Sequence, residues 1–211
     1  NPDGSEDATF NPCKGANNVV IEAVVQPDGK TLVAGSFTKF NATPRGGIAR
    51  LNPDGSLDAG FAVGAGADAG VGVLALQPDG RVVIAGYFTT YDGVPRRCLA
   101  RLNADGSLDT SFDPGSGADS VVRAVALQPD GRVLIAGLFT EYDGVARRHV
   151  ARVNADGSLD SSFDPGVGPS HQVTDMALQP DGKLVIGGAF STIGGVPRGR
   201  FARLEADGSL D

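Results

Sequence analysis

The stretch ALQPDGRVLIAGLFTEYDGVARRHVARVNADGSLDSSF, residues 126–163, decides the fold because the chain is built from four copies of it. The QPDG, Asp-Gly-Ser and Gly-x-Phe motifs all recur every 51 residues, without insertion or deletion. The QPDG motifs begin at Gln26, Gln77, Gln128 and Gln179. A strict repeat of this length predicts a solenoid, a propeller or another repeat array.

The hydrophobic periodicity of one unit predicts four short β-strands, at residues 121–128, 132–140, 149–155 and 158–164. Pro129-Asp130-Gly131 is the predicted turn between the first two strands, and Asp156-Gly157 is the turn between the last two. Residues 141–148 form a longer loop between strands two and three. No window shows a helical apolar stripe, so the unit is typical of one propeller blade.

The predicted fold is therefore all-β: one β-propeller domain over residues 1–211, with four blades of four antiparallel strands. The blades span approximately residues 19–63, 70–114, 121–165 and 172–211, and residues 5–12 are expected to complete the last blade and close the ring. Residues 1–7 and 205–211 occupy the same repeat position, and a closed ring has room for only one of them. A four-bladed ring predicts a monomer, whereas an eight-bladed ring predicts a homodimer.

Composition and charge argue against several classes of partner and cofactor. The net charge of −7 argues against nucleic acid as a partner, and the chain has no apolar run of the about 18 residues that a membrane span needs. Cys13 and Cys98 lie at non-equivalent repeat positions, which disfavours a disulfide, and neither has a further ligand at metal-binding spacing. We predict no metal and no cofactor.

The unit resembles the delta-60 repeat, a bacterial β-propeller repeat of uncharacterised role found in secreted and surface-attached proteins. The resemblance lies in the LQPDG[KR] hairpin, the AG-x-F strand, the GVPRR-type loop and the ARLN-x-DGSLD-x-SF ending, and it covers nearly the whole chain. Units one and four depart from the loop pattern, at residues 41–46 and 199–200. The resemblance implies a propeller fold and an extracellular or cell-surface location, and it supplies no catalytic residues.

Two repeated features have structural interpretations. Eight of the ten phenylalanines form two rings that are expected to pack between blades: Phe37, Phe88, Phe139 and Phe190, and Phe10, Phe61, Phe112 and Phe163. The segment Asn103-x-Asp105-Gly106-x-x-Asp109 partly imitates a calcium loop. Turn chemistry, with the later aspartate free to pair with arginine, is the interpretation we favour, and calcium binding stays open.

Two arginine rings carry the site prediction. The first ring lies inside the third strand, where a charge needs a partner: Arg50, Arg101, Arg152 and Arg203, with Asp58, Asp109, Asp160 and either Asp7 or Asp211. The second ring lies in the loops between strands two and three, where a ligand could reach it. The predicted ligand-binding residues are Arg45, Arg96, Arg147, Arg198, Tyr91 and Tyr142.

The function predicted from these features is a non-catalytic binding or scaffolding module, not an enzyme. An acidic glycan or another surface protein is the expected partner. One alternative is a structural array or self-assembling subunit cut from a longer repeat protein. The other is a propeller lyase or glycosidase, for which the acids and bases that break the repeat are His149, His171, Glu141 and Asp175.

Overall fold

The computed structural model describes residue 3, residue 5 and residues 7–211. Unit one contains β1 (Val20–Val25), β2 (Thr31–Gly35), β3 (Lys39–Phe40), β4 (Thr43–Pro44) and β5 (Ile48–Leu51). Unit two contains β6 (Val71–Leu76), β7 (Val82–Gly86), β8 (Thr90–Tyr91), β9 (Val94–Pro95) and β10 (Leu99–Leu102). Unit three contains β11 (Val122–Leu127), β12 (Val133–Gly137), β13 (Glu141–Tyr142), β14 (Val145–Ala146) and β15 (Val150–Val153). Unit four contains β16 (Val173–Leu178), β17 (Leu184–Gly188), β18 (Thr192–Ile193), β19 (Val196–Pro197) and β20 (Phe201–Leu204).

Each unit folds into one antiparallel three-stranded sheet, with the second strand in the middle, as in the order β1-β2-β5. The predicted first three strands are thus confirmed. The QPDG turn works as expected: the Gln26 N–H donates to the Lys30 carbonyl at 2.7 Å, and Gly29 takes a φ of 83°. This left-handed conformation is one that glycine adopts without steric cost.

The predicted fourth strand is wrong. In each unit it shrinks to a single bridge, such as Val153 with Leu159 in unit three. The chain turns at the next residue, Asp160, because its carboxylate accepts hydrogen bonds from the Ser162 N–H at 2.9 Å and hydroxyl at 2.7 Å. A short side chain that captures a nearby backbone N–H competes with strand pairing.

The loop between strands two and three contains a two-residue hairpin in every unit, which the sequence analysis missed. In unit three, β13 pairs with β14 across Asp143 and Gly144. Both turn residues have positive φ, 49° and 72°, as a type I′ turn requires. The Asp-Gly pair in EYDGVA was the available signal for this hairpin.

The core lies between neighbouring units, on both faces of the second strands. All five residues of β12 are buried. Leu134 faces a cluster shared with unit four, while Ile135 faces a cluster shared with unit two. The prediction that the second strand is buried on both faces is confirmed, and so is packing between units for six of the eight ring phenylalanines. Phe37 is also buried, but it packs within unit one. Phe10, the eighth, is 41% exposed.

The predicted ring closure is not observed. The Asn11 N–H donates to the Asp54 carbonyl at 2.8 Å, so the segment preceding unit one lies against that unit rather than completing the last blade. In unit four, Leu210 bridges Leu204 and Asp211 pairs with Arg203, filling the place that residues 5–12 were expected to take. Residues 1, 2, 4 and 6, which belong to the predicted overlap and closure, lie outside the described residues.

A β-bulge interrupts the first strand of every unit. In unit two the register shifts between Val71 and Val73, so Gly72 is the extra residue. Opposite the bulge lies Gly86, where a Cβ atom would overlap the carbonyl oxygen of Gly70. The glycine of the repeated AG-x-F motif therefore allows the close approach that the bulge requires.

Alanine substitutions at the bulge and opposite it should differ in their effect on stability. Gly86→Ala is expected to lower the free energy of unfolding by about 1–3 kcal/mol, because the added methyl group forces the backbone apart. Gly72→Ala is the matched control, since a Cβ there meets no atom within 4 Å and φ is not positive. It should leave stability within about 0.5 kcal/mol or raise it slightly. Urea unfolding of both variants tests this, and equal losses would contradict it.

The arginine ring inside the third strands is paired, as predicted. The Arg152 Nε lies 2.6 Å from Asp160 Oδ2, and Nη1 donates to the Ala206 carbonyl of the next unit at 2.7 Å. The guanidinium also stacks on Phe163, with the Arg152 Cζ 5.1 Å from the ring centroid. Arg50 and Arg101 make the equivalent contacts. Each arginine thus joins its own unit to the next.

Arg152→Ala should cost about 2–4 kcal/mol of unfolding free energy, because Asp160, 9% exposed in its side chain, loses its buried partner. Arg147→Ala is the comparison, since its nearest carboxylate, Asp164, is 62% exposed and stays solvated, so the loss should be smaller. Chemical unfolding of the two variants measures the difference. A loss at Arg147 equal to or larger than that at Arg152 would overturn the assignment.

The same pair makes stability depend on pH. Burial raises the pKa of Asp160, but hydrogen bonds from Ser162 and Arg152 outweigh burial and lower the pKa to about 2. Because this folded-state value lies below the ordinary 3.8, the ionised carboxylate stabilises the fold above about pH 4 and less as the pH falls toward 2. Unfolding midpoints measured between about pH 5 and pH 2 should therefore fall, and less steeply in Asp160→Asn. Parallel curves for the two proteins would exclude this contribution.

Candidate functional site

The two tyrosines predicted to contact ligand are structural in this fold. Tyr91 and Tyr142 are 0% exposed. Their hydroxyls each donate a 2.8 Å hydrogen bond, to the carbonyls of Gly106 and Gly157. Burial raises the pKa of both phenols. Both rings sit in the two-residue hairpins, which pack down against the connecting segments instead of standing open to solvent.

The loop arginines are also less accessible than predicted. Arg96 is 8% exposed, and none of the other three is fully exposed. Each donates from Nη1 to the carbonyl of the preceding residue, at distances of 2.8–3.1 Å, in Arg45, Arg96, Arg147 and Arg198. Arg96 and Arg147 approach Asp113 and Asp164 at 3.6 and 4.0 Å. The ring is repeated around the rim and does not converge on one point.

The candidate acids and bases of the enzyme alternative do not gather either. His149 and His171 stack, with ring centroids 6.3 Å apart, and burial lowers the pKa of His149. Glu141 lies in the β13 hairpin strand. Asp175 lies on β16, on the groove described next. The structure therefore brings two of the four together.

The first strands of the four units border one groove, which we call the inner groove. It consists of three adjoining depressions of about 280, 330 and 340 Å³, and Arg123 lines all three. Volumes of this order suit a small ligand or one part of a larger one. The lining residues include Ile21, Glu22, Gly72, Tyr87, Arg97, Cys98, Arg123, Thr174 and Asp175.

The β-bulges account for the lining. The extra residue of each bulge is Ile21 in unit one, Gly72 in unit two, Arg123 in unit three and Thr174 in unit four. All four border the groove. A bulge turns a side chain out of the regular alternation of a strand, and bulges are frequent beside functional sites. At this position the four units differ completely, although their second strands are nearly identical.

Two cations line the groove: Arg97 borders one depression, whereas Arg123 borders all three. Arg123 is exposed, and among the described residues it makes no ion pair or hydrogen bond. Glu22 and Asp175 provide carboxylates on the same lining. Burial raises the pKa of Glu22, against the effect of the Leu74 N–H, which donates to its Oε2 at 2.5 Å. A free guanidinium beside carboxylates can bind an anionic group and hydroxyl groups together.

The groove lining also includes an aromatic ring and a thiol. Tyr87 is 55% exposed, and its repeat equivalents are Ser36, Leu138 and Ala189. Cys98 lines the adjacent depression with a φ of 63°, and burial raises the pKa of its thiol to about 11. Cys98 and Cys13 are both free thiols.

The sequence analysis missed Arg123 and Tyr87 because it chose ligand-binding residues from features that recur in every unit, and among the positions that do not recur it considered only carboxylates and histidines. The available signal was a difference between the units, because the positions of Arg123 and Tyr87 hold a different residue in each unit. The bulged strand of unit three reads VVRAVALQ, and no residue pattern in that segment predicts a bulge. Within the part of the chain that the structure describes, no helix is long and apolar enough to cross a membrane, and no cluster of three or more metal-binding side chains occurs.

The chain matches a known family along most of its length. The family model described as "Domain of unknown function (DUF5122) beta-propeller" matches residues 26–61, 77–112, 128–163 and 179–211, one segment in each unit. No curated protein matches the chain.

Several solved structures resemble the fold. A protein of unknown function from Bacteroides caccae is 16% identical with a TM-score of 0.48, and the match covers 90% of this chain and 65% of that one. The extracellular domain of a hybrid two component system from B. thetaiotaomicron is 16% identical with a TM-score of 0.55, covering 93% and 24%. PorZ, a surface component of the type-IX secretion system of Porphyromonas gingivalis, is 13% identical with a TM-score of 0.49, covering 96% and 28%. The chain thus spans 65% of the first of these proteins and about a quarter of the other two.

Proposed function

Because the chain belongs to the DUF5122 family of β-propeller domains of unknown function, we propose that it is a non-catalytic module that binds an acidic glycan in the inner groove. The observation that carries the proposal is Arg123, which is unpaired among the described residues and borders all three depressions. An unpaired exposed arginine on a concave surface suits a carboxylate or sulfate group of a ligand.

The remaining lining fits the other parts of an acidic sugar. The carboxylates of Glu22 and Asp175 can accept hydrogen bonds from ring hydroxyls, and the Thr174 hydroxyl can donate or accept. The exposed ring of Tyr87 offers an apolar face to the C–H groups of a pyranose. A simple anion would use only Arg123, whereas a uronic acid oligosaccharide would use the whole groove.

A catalytic role is not part of the proposal. The four acids and bases that break the repeat are divided between the groove, the stacked histidine pair and the β13 hairpin. General acid–base catalysis needs such groups within hydrogen-bond reach of one reacting atom. Glu22 and Asp175 share the groove, so incubation with the same oligosaccharides, followed by product analysis, tests the lyase or glycosidase alternative directly.

An extracellular or cell-surface location accompanies the proposal. The resemblance of the repeats to secreted delta-60 proteins supports it, and so does the likeness to the extracellular domain from B. thetaiotaomicron, which shares the fold. A glycan-binding module needs its ligand in the same compartment. A surface protein as partner is the second candidate, and the experiment below separates it from a glycan.

Binding of uronic acid and sulfated oligosaccharides, measured by calorimetry, should reveal one site per chain that depends on Arg123. Arg123→Gln is expected to weaken binding by about 10–100-fold, because a charge-assisted hydrogen bond is worth about 1.5–3 kcal/mol. Binding should also weaken with added salt, and this dependence should be shallower in Arg123→Gln.

Arg81→Gln is the matched control for charge. Arg81 follows the QPDG turn of unit two, away from the groove lining, with its side chain 43% exposed, and its substitution should leave binding unchanged. Tyr87→Ala should weaken glycan binding but not binding of inorganic sulfate. Equal affinity of the wild type and Arg123→Gln for every acidic oligosaccharide would refute the proposal, and the absence of any glycan binding would leave the surface-protein partner as the better candidate.

A further inference from the structure

The inner groove changes the sign of its charge along its length. Arg97 and Arg123 line the depression of about 340 Å³, and the carboxylate of Asp119 lies on the same lining. That carboxylate already accepts hydrogen bonds from the Thr140 N–H and hydroxyl, both at 2.7 Å, and from the Glu141 N–H at 3.0 Å. The two guanidinium groups therefore make this end of the groove cationic.

The depression of about 330 Å³ has the opposite charge. Glu22 and Asp175 line it together with Arg123, so carboxylates outnumber the guanidinium group. Within the part of the chain that the structure describes, none of the three is in an ion pair, although they share one lining. The depression of about 280 Å³ lies between the two ends, because it shares lining residues with both. A ligand that spans the groove therefore meets cations at one end and carboxylates at the other.

The fold does not require the two carboxylates. Glu22 and Asp175 occupy the same repeat position, one residue after the bulge, and its other occupants are Val73 and Ala124. All four residues line the same depression. Because an uncharged side chain serves at this position in units two and three, the carboxylates of units one and four are free to serve a ligand.

Each of the two carboxylates keeps one oxygen available. The Asp175 Oδ1 accepts from the Met176 N–H at 2.8 Å, and the Glu22 Oε2 accepts from the Leu74 N–H at 2.5 Å. Burial raises the pKa of Glu22, so its ionised form gains from a cation placed beside it. An ammonium group brings a positive charge and three N–H donors, whereas a sugar hydroxyl brings one donor and no charge. This end of the groove therefore favours an amine over a hydroxyl.

We propose that the acidic glycan carries, next to its anionic sugar, an amino sugar whose amine is unsubstituted. This inference rests on the proposed function and names the class of glycan that the same groove binds. Arg97 and Arg123 bind the carboxylate or sulfate group, and the ammonium group lies against Glu22 and Asp175. A second anionic group at the Glu22 end would be repelled, whereas an ammonium group is attracted. The ligand is therefore zwitterionic rather than polyanionic.

Calorimetry with a matched pair of disaccharides provides the test. Both consist of a uronic acid linked to glucosamine, and the amine is free in one and acetylated in the other. The wild-type protein should bind the free-amine form about 10–100-fold more tightly, because acetylation removes a charge-assisted hydrogen bond. The uronic acid is the same in both forms, so Arg123→Gln should weaken the binding of both.

Substitution of the two carboxylates by amides locates the amine. Glu22→Gln and Asp175→Asn should each lower the preference for the free-amine form, and the double variant should reduce it to about twofold or less. The amide oxygens can still accept from the Leu74 and Met176 N–H groups, so the melting temperature should stay the same. Glu141→Gln is the control, because it removes the same charge from an exposed position on the β13 hairpin strand, and it should leave the preference unchanged.

The outcomes separate this inference from the proposed function. Equal or weaker binding of the free-amine form to the wild type, together with a loss of binding in Arg123→Gln, refutes the zwitterionic ligand and leaves the proposed function standing. A preference for the free amine that survives in the double variant also refutes it, because the amine then binds elsewhere. If neither disaccharide nor any other acidic oligosaccharide binds, the proposed function is wrong and this inference is wrong with it.

Discussion

The fold depends on a strand that its own unit cannot bury. The second strand of each unit is apolar on both faces, and a single three-stranded sheet has no second layer to cover either face. Only neighbouring units can remove this surface from water, and burial of apolar area is the main favourable contribution to folding. The order of the units, the phenylalanines between them and the arginines that reach from one to the next all follow from this requirement.

Much of this arrangement could be predicted from the sequence, because the features responsible recur. The period, the QPDG turn, the doubly apolar second strand and the Arg152–Asp160 pair are all visible as spacings between residue types. The fourth strand could not be predicted from its alternating pattern, because Asp160 uses its carboxylate to end the strand after one bridge. The prediction of ring closure was wrong because it came from counting strands. A strand count does not show which unit residues 10–12 contact.

The residues of the predicted ligand site are less accessible than their place in a long loop suggests. Tyr142 and Arg147 have suitable functional groups, but Tyr142 bridges Ala118 of the connecting segment, and its hydroxyl donates to the Gly157 carbonyl in the turn after the third strand. Loop length alone did not indicate this packing. Many repeated positions make contacts between units, whereas several positions that line the inner groove differ from unit to unit. Under the proposed function, differences between the repeats are a better indication of the binding site than residue type.

In a regular strand, a residue that lines a site must also pair with the neighbouring strand, and the β-bulge separates these two roles. Gly86 and its counterparts fix the backbone opposite the bulge, while the extra residue has no cross-strand partner of its own. Ile21, Gly72, Arg123 and Thr174 show that an aliphatic, a glycine, a cation and a hydroxyl are all accommodated there within one chain. Mutations at this position can therefore accumulate without eroding the fold, and duplication of a unit supplies a fresh groove residue that can diverge. Under the proposed function, the groove is therefore the part of the molecule where ligand specificity can change with the least cost to stability.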